Sequence, residues 1–461
     1  MNLLAIQTTK RLPNVRLKDI LDEIRAGSAT LGDKTLDSTL QSIWITLRQR
    51  EQLVLRTMAE TLKPETEVEL GEYLPSEINY NKLMKALKTL RDLNLVVVKQ
   101  LPNAPDVMEL HPLVRQFVRN ISPGQERRTI IDPILKVYKR FIGNHKSQLR
   151  EAPPISLLLY WTQDAELSIR AGKLNDAFAA LYEVGPCFLS SAYPREFCRV
   201  AKILFEGVNW KRDSRLRQFE GVLNTYVRLL SHLGEHGQVD VLLDEYEDTI
   251  QDRGSQYVRY CEMRSNAKWL RGEFTEAVAW GEKGTKLIEE SGVDIDDEIA
   301  HTLALARRDA GEPESALSVF LRGRALLDVL DPEELDERAG GAFYGNVGRC
   351  LHLLGQIESA LTCYQKSALL IEKDFEHERV LNQGYIRLWV GELLVARQQY
   401  TLAHTFFRAA YLKWKDVYPA RMNAAIELSD QIRARLKDKP SGDELVERIC
   451  LDWIKGRSID G

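Results

Sequence analysis

Apolar side chains recur along most of this chain every three or four residues, which is the spacing of helices with one buried face. In the C-terminal two thirds, a glycine is followed five residues later by an alanine and, after four more, by a bulky apolar residue. The copies that fit are Gly172, Ala177 and Leu181; Gly311, Ala316 and Phe320; and Gly355, Ala360 and Tyr364. Looser copies are Gly272 and Ala277, with Trp280 just short of the bulky position; Gly237, Leu242 and Tyr246; and Gln398, Ala403 and Phe407.

The period of this pattern indicates the architecture. From Leu242 onward, the steps between the alanine-type positions are 35, 39, 44 and 43 residues, which predicts an α-solenoid of helix pairs. Glycine tolerates the left-handed backbone that ends the first helix of a pair. Alanine lies where two antiparallel helices approach most closely. We expect a small residue three positions after the bulky one to admit the next helix, as at Gly284, Gly323, Ser367 and Ala410.

The clearest copy spans residues 341–370. Its patterned positions are Tyr344, Val347, Gly348, Leu351, Gly355, Ile357, Ala360, Tyr364 and Ser367. This copy resembles the tetratricopeptide (TPR) repeat, whose consensus has these residue types in these places, and the resemblance covers residues 158–415. The 65 residues from Ala177 to Leu242 equal about two periods, so we expect a degenerate repeat at 197–217.

The N-terminal quarter has a different pattern, in which helices are followed by a short strand pair. Apolar spacing predicts helices at 43–62 and 68–73, and a third helix that Asn79 or Asn81 caps and that runs to Leu93. Residues 95–98 and 107–110 are predicted strands. Three helices and a two-stranded wing predict a winged-helix domain.

A winged helix raises the alternative of DNA binding. Lys82, Lys85, Lys88 and Arg91 recur every third residue on the third helix and could contact phosphates along a major groove. The competing interpretation is a solvated face left over once leucines occupy the core. No cluster of Asn, Gln or Arg suited to reading base edges opens that helix.

The stretch after the wing carries a second resemblance. His111 opens a helix that Pro112 can start at its first position, and Leu113, Val114 and Arg115 follow. This stretch is similar to the end of the winged-helix domain of STAND signalling ATPases, the NB-ARC or AP-ATPase class. Residues 125–141 resemble the helix that leads into those proteins' repeats, and residues 3–7 resemble the end of the helical domain before their winged helix.

This resemblance implies the C-terminal half of such a protein, in the order winged helix, helical connector, TPR array. It also implies that His111 contacts the diphosphate of a bound nucleotide in the resting state. Without an ATPase module, His111 is expected to be a helix-start residue only.

The sequence shows no phosphate-binding loop of the kind that a STAND ATPase needs. The nearest string to a phosphate-binding loop, residues 27–35, has one residue too many between its second glycine and Lys34. No buried strand is predicted before it, because the pattern of residues 20–24 is typical of a charged helix. We therefore expect a polar link there, no cofactor in this chain and no enzymatic activity.

Two other patterns suggest metals but fit them poorly. His232 and His236 match the HxxEH spacing of an inverted zinc-protease motif, yet Gly234 lies between them and no third ligand is evident. Asp294, Asp296, Asp297 and Glu298 lack the glycine and terminal glutamate of a calcium loop, and we expect them to cap a helix. No metal site is expected.

Composition agrees with a helical protein of the cytoplasm. Among 461 residues, 44% are hydrophobic and 28% charged, and no run is apolar enough to span a membrane. We expect no secretory segment, because the apolar start is short and leads into Lys10 and Arg11. The six cysteines are scattered, as in proteins with free buried thiols. A net charge of -4 gives no bias toward nucleic acid.

The inner face of the array is the predicted partner-binding groove. In TPR proteins, first-helix positions that point away from the paired helix grip peptides or helices. These positions are Glu262, Asn266, Trp269, His301, Leu305, Arg308, Arg349, His352, Leu388, Glu392 and Val395. Arg308 and Arg349 would suit an acidic or carboxylate ligand. Alternatively, each position is simply solvated.

These inferences predict a mainly α protein with five parts. They are a helical lead-in at 1–35, a winged helix at 36–120, a connector at 121–157, a TPR-like solenoid at 158–435, and a capping helix and tail at 436–461. In the capping helix, Leu445, Ile449 and Trp453 are expected on the buried side. The predicted function is a protein-interaction or sensor scaffold, which binds a protein or peptide and couples through the winged helix to a STAND-type ATPase module. The alternative is a DNA-binding transcriptional regulator with a ligand-sensing TPR domain.

Overall fold

Helices dominate the fold, as the sequence predicts. The computed structural model describes residues 31–100, 102, 104–150, 153–251, 254–291, 298–331, 335–373, 379–436 and 442–456. Those residues contain 23 α-helices and one two-stranded sheet. The chain divides into two units, residues 1–146 with 163–177 and residues 147–162 with 178–461. The mainly helical class is confirmed, while the five predicted domain boundaries stay a prediction.

The described part of the first unit contains four helices, then a hairpin and two more helices. They are α1 (Leu31–Thr46), α2 (Gln49–Glu60), α3 (Glu67–Tyr73), α4 (Tyr80–Asp92), β1 (Val96–Lys99), β2 (Val107–Leu110), α5 (Pro112–Ile121) and α6 (Gly124–His145). The strands pair antiparallel, with Val96 opposite Leu110. Asn79 caps α4 by accepting a hydrogen bond from the Lys82 N–H. Leu83, Leu87 and Leu90 of α4 are buried, as their spacing predicts.

One helix that the sequence predicts in this region is observed as two helices. The expected helix at 43–62 is broken at Arg48, whose extended backbone (ψ 155°) starts a new helix. The Glu51 carboxylate accepts a hydrogen bond from the Arg48 N–H and fixes this start. Apolar spacing runs on through the break, so periodicity alone does not reveal it. The polar link expected at 27–35 is also wrong in its second half, because α1 already begins at Leu31.

Helices α7 (Ile155–Arg170) and α8 (Leu174–Ser190) each contribute residues to both units. The second unit continues with α9 (Pro194–Gly207), α10 (Trp210–Asp213), α11 (Phe219–Leu233), α12 (His236–Glu247), α13 (Ser255–Arg271), α14 (Phe274–Ser291), α15 (Glu298–Asp309), α16 (Pro313–Leu321), α17 (Leu326–Leu330), α18 (Gly341–Leu353), α19 (Ile357–Lys373), α20 (Arg379–Ala396), α21 (Tyr400–Trp414), α22 (Pro419–Ile432) and α23 (Asp443–Ile454). Consecutive helices pack as pairs, most extensively α13 with α14, α18 with α19 and α20 with α21.

The repeat pattern accounts for these pairs. The predicted left-handed turn between two helices is present at Gly172, Gly272, Gly311 and Gly355, and Gln398 adopts it without being glycine (φ 61°). The alanines of the pattern are fully buried: Ala177, Ala277, Ala316, Ala360 and Ala403. The helical repeats predicted from the spacing are thus observed as helix–turn–helix units.

One copy of the pattern begins three residues earlier than predicted. Gly234, not Gly237, has the left-handed backbone (φ 80°), and Gly237 lies inside α12. Counting from Gly234, the alanine-type and bulky positions become Val239 and Leu243, both fully buried. The step to Ala277 is then 38 residues, close to the following 39.

The expectations about small residues and about the degenerate repeat have mixed outcomes. Gly323 follows the end of α16 in a left-handed conformation (φ 79°), so it terminates a helix and does not admit one. Gly284 behaves as predicted, since a Cβ there would lie 2.1 Å from the Ile299 side chain. The degenerate repeat at 197–217 consists of α9 and the four-residue α10.

The C-terminal helix α23 packs on α21, as a capping helix would. Its buried residues are Val446, Cys450 and Ile454, whereas Leu445 is exposed. The expected buried side is therefore wrong by about one position. Ion pairs also attach α23 to the rest of the unit, because Arg387 and Lys413 both contact the Glu447 carboxylate.

Candidate functional site

Two adjoining cavities open among the first helices of the repeats in the second unit. The Arg349 cavity, about 420 Å³, is lined by Trp269, Phe274, Arg308, Asp309, Gly311, Pro313, Arg349, Leu353, Tyr385, Leu388, Trp389, Glu392 and Arg421. The Glu262 cavity, about 220 Å³, is lined by Arg228, His232, Glu262, Asn266, Trp269, Leu270, Glu298, His301, Thr302, Leu305, Arg308, Ala342, Asn346, Leu381, Asn382, Tyr385 and Trp389. Trp269, Arg308, Tyr385 and Trp389 belong to both, so the two cavities adjoin and share a wall.

Most of the predicted groove residues meet here. Glu262, Asn266, Trp269, His301, Leu305 and Arg308 line the Glu262 cavity, and Arg349, Leu388 and Glu392 line the Arg349 cavity. His352 and Val395 line neither. His352 contacts Arg349 through its Nδ1, and Val395 packs against the core. The structure thus brings nine of the eleven positions together, while their role in binding stays a prediction.

Arg308 is the most buried charge of the cavities, at 2% exposure. Its guanidinium donates two hydrogen bonds of 2.8 Å to the Asp309 carboxylate and a third of 2.7 Å to Asn346 Oδ1. Trp269 Nε1 donates to the same carboxylate at 2.8 Å. Burial alone would raise the pKa of Asp309, but Arg308 outweighs it and lowers that pKa. Asp309 is therefore the fixed counter-ion of Arg308.

Arg349 is paired in the same way. Its Nη1 donates to the Glu392 carboxylate and lies 3.1 Å from His352 Nδ1. Burial opposes the charge of Arg349, yet Glu392 raises its pKa. Burial, together with Arg349, lowers the pKa of His352 to about 4, so this imidazole is neutral at pH 7.

Trp389 joins the two arginine pairs. The guanidinium carbons of Arg308 and Arg349 lie 5.5 and 5.4 Å from the centre of its ring, within range of cation–π attraction. The Trp389 ring also stacks with Tyr364 and Tyr385, at centroid distances of 5.8 and 5.1 Å. The wall of the Arg349 cavity is therefore aromatic and largely balanced in charge.

This pairing changes the ligand expected from the sequence. An acidic ligand of Arg308 or Arg349 would have to displace Asp309 or Glu392, each of which already satisfies a guanidinium. Because Trp389 is 9% exposed, these fixed partners hold a largely buried ring in place. The two arginines are better described as supports of Trp389 than as open anion sites.

A different polar group lies at the far end of the Glu262 cavity. Glu262 and Asn266 are one turn apart on α13, at 6% and 7% exposure. Thr302 donates a hydrogen bond of 3.3 Å to Glu262 Oε1. Burial, with Glu298 nearby, raises the pKa of Glu262 to about 7. The Oδ1 of Asn266 is buried and has no hydrogen-bond partner among the described residues.

The last repeat helix returns to the earlier ones at this site. Arg421 of α22 donates from Nη2 to the Leu270 backbone oxygen at 3.1 Å, and its guanidinium lies 5.5 Å from the Tyr385 ring centre. Tyr418 packs edge-on against His232 at 5.2 Å. Helix α22 thus contacts both α11 and α13 beside the two cavities.

The aromatic centre of this site is absent from the groove positions that the sequence predicts. Tyr385 and Trp389 lie at helical spacing with the predicted Glu392 on α20, whereas the prediction named Leu388, one position away from Trp389. The spacing of these aromatic residues is a usable signal. Asp309, Asn346 and Arg421 carry no such signal, because each joins the site through packing between distant helices.

In the first unit, His111 begins α5, and its Nδ1 accepts a hydrogen bond from the Leu113 N–H at 3.3 Å. Arg115 donates to the Thr61 backbone oxygen just beyond α2, and Arg119 donates to the Ala59 oxygen at 2.8 Å. The arginine of the His-Pro-Leu-Val-Arg stretch therefore attaches α5 to the C-terminal end of α2. The contact of His111 with nucleotide stays a prediction.

The DNA-binding alternative depends on the basic residues of α4. Lys82, Lys85, Lys88 and Arg91 are all exposed, opposite the buried leucines. Lys82 Nζ donates to the Glu77 backbone oxygen at 2.8 Å. The structure thus leaves a basic helix face, which fits both a solvated surface and a phosphate-binding one.

The motifs that suggested metals do not assemble. His232 lies in the last turn of α11 and His236 begins α12, so the left-handed Gly234 separates them and they do not share a helical turn. Within the described ranges, no group of three or more His, Cys, Asp or Glu is placed to hold a metal ion. Asp294, Asp296 and Asp297 lie outside the described residues, and Glu298 begins α15.

All six cysteines are free and buried, as predicted. Burial raises the pKa of Cys198, Cys350, Cys363 and Cys450 to about 12 and that of Cys187 to about 11. Their thiolates are scarce at pH 7. Among the described helices, none is long and apolar enough to cross a membrane.

Comparison with known proteins adds little. No protein-family model and no curated protein matches the chain. One matching solved structure is the crystal structure of a signal transduction ATPase with numerous domains (STAND) protein with a tetratricopeptide repeat sensor from Pyrococcus horikoshii. It has 14% sequence identity and a TM-score of 0.48, over 92% of this chain and 62% of that protein. The chain thus spans less than two thirds of that protein's length, and a likeness at this level carries no argument about function.

Proposed function

We propose that this chain is a sensor or interaction scaffold, and that a protein or peptide ligand binds in the joined Glu262 and Arg349 cavities. The proposal rests on the convergence of side chains from several helices. Side chains of α13, α15, α18, α20 and α22 meet around two adjoining cavities with a shared aromatic wall and several fixed polar groups. Such concave, largely apolar sites with convergent polar groups are typical of ligand binding.

Trp389 provides the sharpest test of this site. Peptides are selected from a displayed library on the full chain, and the affinity of the selected peptides is measured by calorimetry. We expect Trp389→Ala to weaken binding at least about tenfold, because aromatic anchors in desolvated pockets dominate such interfaces. The matched control is Trp453→Ala in α23, which removes the same side chain away from both cavities. Equal affinity for wild type and Trp389→Ala would overturn the proposed site.

We further propose that the first unit transmits the event of binding to an ATPase module. Support comes from the sequence resemblance to the C-terminal half of STAND ATPases and from the winged-helix order of α2, α3, α4 and the β1–β2 hairpin. The attachment of Arg115 and Arg119 to the end of α2 would carry a movement of α5 into this region. The existence of an ATPase module, its location and its nucleotide are all part of this proposal.

The alternative function is DNA binding, favoured by the exposure of Lys82, Lys85, Lys88 and Arg91 on one face of α4. It is tested by fluorescence anisotropy with a labelled DNA duplex at several salt concentrations. Replacing the three lysines by glutamine should then lower the slope of log K against log salt by up to about 2.7, roughly 0.9 for each phosphate that is no longer neutralised. Absence of salt-dependent binding by the wild-type chain would exclude this alternative.

A further inference from the structure

The polar groups of the joined cavities fall into two classes. The cations Arg308 and Arg349 already have carboxylate partners in Asp309 and Glu392. The acceptors Glu262 and Asn266, at the other end, are only partly satisfied. A ligand gains more by contacting unsatisfied groups, since it removes a cost that the folded protein already bears.

Asn266 is the clearest unsatisfied acceptor. It is 7% exposed and lines the Glu262 cavity, and its Oδ1 has no hydrogen-bond partner among the described residues. A buried amide oxygen without a donor costs about 1–3 kcal/mol. A ligand that donates an N–H or O–H to this oxygen would recover that cost.

Glu262 supplies a second acceptor one turn away. Its only described hydrogen bond is the one from Thr302, at 3.3 Å. The nearby cations have other partners: Arg228 lies 3.9 Å from Glu298, and Arg259 lies 3.7 Å from Glu220. Glu298 lines the same cavity and adds negative charge. Arg228 and Arg259 attract the Glu262 carboxylate through space, whereas its one described hydrogen bond comes from Thr302.

Aromatic and apolar residues form part of the wall near these acceptors, beside charged and polar side chains that include Arg228 and Arg308. Trp269, Leu305 and Tyr385 line the same cavity as Glu262 and Asn266. A protonated amine on an apolar body fits both features, because its N–H groups donate to a carboxylate and an amide oxygen while its body contacts the rings.

We propose that the Glu262 cavity is a binding site for a primary ammonium group, which donates hydrogen bonds to the Glu262 carboxylate and to Asn266 Oδ1. The inference rests on the proposed function and specifies which chemical group of the ligand binds in the Glu262 cavity. A peptide amino terminus and a small aromatic amine share this chemistry. A carboxylate ligand, which the arginines suggested from the sequence, would be repelled from this end.

The test compares three probes of similar shape, benzylammonium, benzyl alcohol and benzoate, by calorimetry on the full chain at pH 8. Benzylammonium should bind at least about tenfold more tightly than either of the others, as expected for one charge-assisted hydrogen bond. Glu262→Gln should abolish that preference. The control Glu290→Gln, on α14 outside both cavities, should keep it. Asn266→Asp adds a carboxylate at the same place and should strengthen benzylammonium binding.

A second comparison distinguishes the two sources. The amide of the dipeptide Phe-Ala is measured with a free and with an acetylated amino terminus. A free peptide that binds more tightly than benzylammonium identifies a peptide ligand, and the reverse order identifies a small amine.

Several results would overturn the amine site. They are tighter binding of benzoate, an unchanged preference in Glu262→Gln, or no binding of benzylammonium up to millimolar concentration. The proposed function is judged separately. If library-selected peptides require Trp389 but tolerate acetylation and carry no lysine, the ammonium site is wrong and the cavity proposal stands.

Discussion

Arg349 of α18 and Glu392 of α20 form an ion pair beside the face of Trp389. The two side chains are 18% and 26% exposed, so water screens the pair only in part. The pair links the first helices of two successive repeats. Its integrity decides the shape of the Arg349 cavity.

Reversing one member of this pair should destabilise the protein. Arg349→Glu places two carboxylates together, and we expect a loss of roughly 1–3 kcal/mol in the free energy of unfolding, measured by urea denaturation. The double variant Arg349→Glu with Glu392→Arg restores the attraction and should recover at least half of that loss. A double variant no better than the single one would show that packing, and not charge, accounts for the loss.

The pH dependence of stability should expose Glu262. Its folded-state pKa of about 7 lies above the usual 4.5 of an unfolded glutamate. The folded state therefore favours the protonated form, and this contribution is complete below pH 4.5 and is lost as pH rises through 7. Glu262→Gln removes this pH dependence. Relative to the wild type, the free energy of unfolding of the variant should therefore rise by up to roughly 3 kcal/mol between pH 4.5 and 8. The control is Glu290→Gln, which lies on α14 outside the cavities. A constant difference between Glu262→Gln and wild type across that pH range would contradict the assignment.

The repeat register predicts opposite effects for two neighbouring glycines. Gly234→Ala forces a left-handed backbone on a residue with a side chain and should cost about 1 kcal/mol. Gly237 lies inside α12 with open space around its Cα, so Gly237→Ala should stabilise the protein by up to about 1 kcal/mol. Thermal unfolding of the two variants measures both effects. The same sign in both would mean that the turn is not at Gly234.

The bond from Arg421 to the Leu270 oxygen should protect distant backbone. Arg421→Met keeps the aliphatic stem and removes the donor, and we expect amide exchange in α22 and in the last turn of α13 to accelerate about fivefold. Arg435→Met is the control, because its described hydrogen bond reaches Tyr400, on α21. Acceleration confined to α22 would indicate that the link to α13 is not formed.

Much of the fold followed from the sequence, because its determinants are local. Gly272, Gly311 and Gly355 have the left-handed backbone that their spacing predicts, and Asn79 caps the helix expected of it. The errors occurred where two local signals compete. Gly234 and Gly237 both fit the pattern within three residues, and the helix break at Arg48 depends on a capping hydrogen bond that periodicity does not register.

The site was predictable only in outline. First-helix positions located the cavities, since helical geometry determines which face of α13, α15 and α18 points away from its partner. The partners of those positions were not predictable. Asp309 neighbours Arg308 in sequence, yet its contact with Trp269 joins two repeats, and Asn346 reaches Arg308 from 38 residues away. Such contacts depend on the angle between helix pairs, which no short motif specifies.

The contact between α22 and α13 bears on how the repeats unfold. In an open array each repeat touches only its neighbours, so ends fray independently and unfolding spreads in steps. Here a helix of the last pair is bonded to one 151 residues earlier, at Leu270. Release of that end therefore disturbs the middle, and the second unit should melt in a more concerted transition than a linear array of the same length.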